Sequence, residues 1–122
     1  MRVLLLSAYE AVSHRYWANS LMAEVNEVDW TLLSLPPRYF SWRIRGNPLS
    51  WWLKEYQRLN QPYDVVLATS MVDIATLVGL FPHLGRARKI VYFHENQFAY
   101  PESSEQMPQV EAKMVNLYAA LA

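Results

Sequence analysis

The sequence predicts an α/β fold, a doubly wound parallel sheet with helices on both faces. Short apolar runs without polar alternation recur at Val3 to Leu6, Asp64 to Ala68 and Lys89 to Phe93, as expected of strands buried on both sides. Segments with apolar residues at helical spacing lie between them. The connections are short, which favours right-handed crossovers and parallel strands. A length of 122 residues fits one domain, and 52% hydrophobic residues are enough to build its core.

The first strand, Val3 to Leu6, is bounded by Arg2 and Ser7. Ser13 offers an N-cap hydroxyl for a helix from His14 to about Val25, where Trp17, Leu21, Met22 and Val25 recur at helical spacing. Trp30 to Leu35 reads as a second strand, stopped by Pro36 and Pro37, which lack the amide donor a central strand needs. Arg38 to Asn47 reads as a polar and aromatic loop, after which Pro48 opens a helix through Trp51, Trp52, Tyr56 and Leu59. The third strand precedes a helix over Val72 to Phe81. The fourth precedes a loop around Pro101 to Pro108 and a helix from about Val110, with Met114, Leu117 and Leu121 as its apolar stripe.

In the doubly wound order 3-2-1-4 the first and fourth strands are neighbours, and a ligand binds beyond their carboxyl ends. The segments to inspect are then Ser7 to His14 and His94 to Tyr100. The last residues, Tyr118 to Leu121, are apolar and lead to no further strand. This predicts a truncated domain with an exposed sheet edge or helix face, prone to self-association.

Eleven basic and eleven acidic residues cancel, so any patch for a nucleic acid is local. With no cysteine there is no disulfide framework and no thiolate nucleophile or metal ligand. The apolar run at the amino end is far shorter than a signal-peptide core or a membrane span, and the expectation is a cytoplasmic protein without membrane contact. Neither a GxGxxG nor a GxxxxGK[ST] pattern occurs among only three glycines, which argues against glycine-rich dinucleotide binding and P-loop phosphoryl transfer.

Three segments carry chemistry. Ser7 to His14 leads from a strand into a helix N-terminus, where free amides favour an anion or a sugar hydroxyl; the alternative is that Ser13 caps the helix and His14 is solvated. His94, Glu95, Asn96 and Gln97 are consecutive hydrogen-bonding side chains after a buried strand, a position from which a rigid scaffold aims groups at a ligand. The alternative there is a satisfied loop network. His94 and Glu95 point opposite ways in an extended chain and would need a distant partner such as His14 to close a metal site, so no metal is expected. In the third segment, Arg38, Trp42, Arg43 and Arg45 interleave basic and aromatic residues before Trp51, Trp52, Lys54 and Arg58. Guanidinium groups for phosphates and rings for unpaired bases are what a loop or single-stranded RNA requires. The alternative is tryptophans in the core and arginines in solvent. His83 is assigned no role.

The stretch KIVYFHENQFAYP, Lys89 to Pro101, resembles the tRNA-queuosine mannosyltransferase family, enzymes similar to retaining family-four glycosyltransferases of two-Rossmann-domain, GT-B architecture. Ser13-His14 and LPPRYFSWRIRG, Leu35 to Gly46, agree with it in order and spacing. Some members carry a Gly-Gly pair where this chain has Ala11 and Val12, whose side chains would crowd a phosphate or sugar at that backbone.

The resemblance implies an N-terminal, acceptor-side domain spanning 1–122 of an enzyme that moves mannose from GDP-mannose, with retention, onto queuosine in tRNA. It implies His94 near the transferred sugar, with Ser13, His14, Glu95, Asn96 and Gln97 bonding sugar or acceptor hydroxyls. Arg38, Trp42, Arg43 and Arg45 would grip the tRNA. No cofactor is expected beyond the donor substrate, which the enzyme's own C-terminal domain would hold, so these residues alone are expected to be inactive. Two rivals are a glycosyltransferase with a small-molecule or lipid acceptor and a flavodoxin-like or receiver-like binding module. Receivers need an acidic cluster beyond the first and third strands, where this chain offers Glu10, Thr69 and Ser70.

Overall fold

The computed structural model of the chain describes residues 1–94 and 109–122. Their elements run β1 (Arg2–Ser7), α1 (Val12–Glu24), β2 (Asp29–Ser34), α2 (Phe40–Arg45), α3 (Asn47–Leu59), β3 (Val65–Thr69), α4 (Ile74–Leu80), a 3-10 turn (Pro82–Arg86), β4 (Arg88–Tyr92) and α5 (Gln109–Leu121). The four strands form one parallel sheet, so the α/β doubly wound expectation holds.

The order is β2-β1-β3-β4, which corrects the expected 3-2-1-4. β1 pairs with β2 and β3, and β4 pairs with β3. Burial explains the arrangement. β3 is buried over Val66 to Thr69 and suits an interior position, whereas β2 keeps Asp29 exposed and most of the strand only half-buried, as an outer strand allows. The topological switch therefore lies between β1 and β3, the position it takes in flavodoxin-type sheets.

Alternate side chains of the strands feed two cores. Leu4, Leu6, Val66 and Ala68 face α2 to α5, meeting Ile44, Trp51, Leu59, Ile74, Leu77, Val115 and Ala119. Val3, Leu5 and Leu67 face the opposite side, where Trp17, Ala18, Leu21 and Met22 of α1 cover them. Trp51 is only 1% exposed and Trp52 packs against Phe81 at 5.1 Å, so these two indoles belong to the core.

Several local expectations change. α1 begins at Val12 with Ala11 as N-cap, and no side chain caps it. Ser13 sits inside the first turn, exposed, because the chain is already pinned upstream by bonds from Glu10 N to Leu35 O and from Ala11 N to Tyr9 O. Phe40–Arg45 is a short helix rather than loop, entered from Tyr39 in a left-handed conformation with φ 56°. In α5 the buried apolar positions are Ala112, Val115 and Ala119, while Leu117 and Leu121 are exposed. The predicted stripe is displaced because α5 lies against α2 and α4 through its small residues. The predicted loop from Pro101 to Pro108 lies outside the described residues.

Asn47 fastens the helical side to the strand ends. It is fully buried, its amide nitrogen donates to the carbonyls of Arg43, Ile44 and Met71, and its oxygen accepts from Asp73 N. Asp73 in turn caps α4 by accepting from Thr76 N and its hydroxyl.

Candidate active site

Parallel sheets bind ligands beyond the carboxyl ends of their strands. There Ser7 and Thr69 each follow the last β1–β3 pair, Leu6↔Ala68, and Thr69 pairs with Tyr92. The period of two puts Ser7 and Thr69 on the α1 face with Leu5 and Leu67. Both residues are 1% exposed, and neither hydroxyl has a hydrogen-bond partner among the described residues. Such orphans are uncommon in folded proteins and mark places where something else completes the bonding.

Above this edge four rings meet. Trp17 of α1 stacks on Tyr92 with centroids 4.7 Å apart and planes at 19°. His94, two residues past β4, sets its ring against the edges of Trp17 and Tyr92, each at 4.7 Å. His14, in the first turn of α1, stacks on His94 at 4.2 Å and 28°. Nδ1 of His14 lies 2.7 Å from the Tyr9 carbonyl. Because a carbonyl only accepts, that nitrogen carries the proton. The Nε2 atom of His94 is enclosed and has no partner among the described residues.

Burial, and secondarily the charge of His14, lower the His94 pKa from 6.5 to about 4. At neutral pH His94 is therefore an uncharged imidazole. Among the described residues no group of three or more His, Cys, Asp or Glu side chains comes together. A groove of about 620 Å³ lined by Met1, Asp64, Val65 and Arg86 to Arg88 lies at the amino ends of β3 and β4, the edge opposite these rings.

A family profile described as tRNA-queuosine alpha-mannosyltransferase N-terminal matches residues 2–122. The chain belongs to this family. A tRNA-queuosine alpha-mannosyltransferase of Drosophila melanogaster is 34% identical over 99 residues, covering 81% of this chain and 26% of the relative. The chain thus spans about a quarter of that relative's length. No solved structure matches.

Against the family's motif, the structure places the predicted residues unevenly. His14 and His94 come together although β1 and β4 are not neighbours, because α1 crosses the sheet face and carries His14 to the end of β4. His14 is 6% exposed, which rejects the solvated alternative. Ser13 is exposed in the same turn. Glu95, Asn96 and Gln97 lie outside the described residues.

The basic and aromatic segment of this mannosyltransferase-family domain is brought to the same sheet edge, where Phe40 packs edge-on against Tyr9 at 5.4 Å. Its members differ in what they leave free. Arg43 is 8% exposed and donates to the Pro36 carbonyl. Arg45 pairs with Glu111 at 2.8 Å and Asp73 at 3.6 Å. Arg38 and Tyr39 are exposed, with the guanidinium 6.0 Å from the ring centroid, and Trp42 is half-exposed. Ser7 and Tyr92 lie within stretches the sequence singled out, whereas Trp17 as a neighbour of His94 and the buried hydroxyl of Thr69 were missed. The signal for Thr69 was a hydroxyl residue closing an apolar strand.

Proposed function

We propose that this domain is the acceptor-side half of an enzyme that transfers mannose from GDP-mannose, with retention, to queuosine in tRNA. The observation that carries the reading is His94, an uncharged imidazole at the carboxyl edge of the sheet whose enclosed Nε2 has no partner among the described residues. A neutral ring nitrogen forms a hydrogen bond with a sugar hydroxyl without bringing a charge to it. The family's name and the relative's name supply the substrate class, tRNA-queuosine and mannose.

In this reading the bond from the anomeric carbon to the GDP phosphate oxygen breaks, a bond to a queuosine hydroxyl oxygen forms, and that hydroxyl's proton passes to the departing phosphate of GDP. His94 orients the transferred sugar, and Ser13, Glu95, Asn96 and Gln97 bond hydroxyls of sugar or acceptor. The donor nucleotide is held by a second domain, so residues 1–122 are inactive by themselves. The tRNA grip falls to Arg38 and Trp42, since Arg43 and Arg45 are engaged within the fold. No described helix is long and apolar enough to cross a membrane, in keeping with a cytoplasmic site of action on tRNA.

The test uses the longer protein that contains this domain. Mannosyl transfer to queuosine-containing tRNA, lost in His94→Ala, supports the reading. Full turnover by His94→Ala removes His94 from it.

A further inference from the structure

A histidine that meets a substrate is commonly oriented by a hydrogen bond to its other ring nitrogen. His94 is held differently. Among the described residues its neighbours are rings: His14 lies face-on at 4.2 Å, and Trp17 and Tyr92 close two further sides edge-on at 4.7 Å. Trp17 and Tyr92 are themselves stacked, so the enclosure is rigid in two directions. His14 is fixed in turn, because its Nδ1 donates to the Tyr9 carbonyl and its side chain is buried in the first turn of α1.

We propose that His14 is a positioning residue: pinned to the Tyr9 carbonyl, its ring forms the face of an aromatic clamp that sets the plane of His94 and leaves Nε2 as the atom a ligand hydroxyl must satisfy. A substrate-binding role for His14 is thereby replaced, since its ring is turned inward and covered by His94. The clamp has an electrostatic consequence. Two stacked imidazoles resist both being cations, so a proton on His14 disfavours one on His94. The titratable groups that face His94 among the described residues are His14 from α1 and Tyr92 from β4.

The link to a reaction rests on the mannosyl-transfer reading, but the clamp is testable without turnover. The chain has three histidines, so each imidazole is assignable in an NMR titration of the 122-residue protein. Unmodified, His94 titrates near 4 and carries ring-current shifts from its stacked neighbour. In His14→Ala its titration returns toward 6.5 and the stacking shift disappears. His14→Phe keeps a ring and loses the charge, so the stacking shift persists while the titration rises by a smaller step. An unchanged titration and an unchanged ring shift in His14→Ala would overturn the proposal. If His14→Ala does not fold, the Phe variant decides alone, since loss of the stacking shift there contradicts the clamp. Failure of mannosyl transfer with the NMR results intact would count against the reaction and not against the clamp.

Discussion

The indole of Trp42 lies so close over Gly46 that a Cβ on the glycine would sit 2.5 Å from the ring. The Trp42 N–H donates to the Ser50 hydroxyl at 3.1 Å, which ties the ring to α3 while half of its surface stays exposed. In the proposed reading a ring held this way serves as a platform for an unpaired base, and Gly46 is what lets it lie flat. Gly46→Ala is expected to lift Trp42 and to weaken binding of a queuosine-tRNA anticodon stem-loop, with a stability loss of about 1–3 kcal/mol from overpacking. Gly79→Ala is the control, because nothing lies within 4 Å of the added methyl. It should leave RNA binding unchanged and raise stability by about 0.5–1 kcal/mol, as Ala replaces Gly inside a helix. Arg38→Ala should flatten the salt dependence of RNA binding more than Arg43→Ala does, provided both variants fold.

Asn47 joins α2, α3 and the β3–α4 connection through bonds to three carbonyls and one amide. Asn47→Ala would leave these groups buried without partners, and each such group costs about 1–3 kcal/mol. The expected loss is at least 2 kcal/mol, about two such bonds' worth, read from the urea midpoint at constant slope. A loss below about 0.5 kcal/mol, the level of an ordinary surface substitution, would show that water replaces the amide there.

The orphaned hydroxyls of Ser7 and Thr69 make the opposite prediction. Thr69→Val keeps the shape and removes an unsatisfied polar group, so the domain should become more stable by about 1 kcal/mol. If the hydroxyl serves a ligand, the same variant in the longer enzyme loses affinity for that ligand while gaining stability. Destabilisation by Thr69→Val would mean that the hydroxyl already has a partner, such as a bound water.

The depressed pKa of His94 has a defined sign in the pH profile. The unfolded chain binds a proton at its ordinary 6.5 and the folded chain only near 4, so between these values the unfolded state holds more protons. Folding stability is fully present above 6.5 and falls as pH is lowered through 4. Urea midpoints measured across this window should decline in the unmodified domain and decline less in His94→Asn.

Much of the sheet was legible because β1, β3 and β4 are short apolar runs whose bounds shift by only a residue or two. The strand order was not, since it depends on β3 being apolar on both faces and β2 being polar enough for the outside, a comparison between strands that no single run contains. In α5 the largest apolar side chains misled, because helices approach most closely through alanine and valine, here Ala112, Val115 and Ala119. The histidine site was legible in part. His94 stood out after an apolar strand, but its contact with His14 follows from where α1 crosses the sheet. The basic segment was read as one group, and only packing separates the buried Arg43 from the exposed Arg38.

The central claim is tested most directly by mannosyl transfer from GDP-mannose by the longer protein that contains this domain, with matched tRNA carrying or lacking queuosine and with His94→Ala assayed in parallel. The account predicts transfer only to the queuosine-containing tRNA and a loss of at least a hundredfold in His94→Ala, about 2.7 kcal/mol of transition-state stabilisation. A folded enzyme that binds GDP-mannose yet transfers mannose to no tRNA, or transfers it equally well without His94, would contradict it.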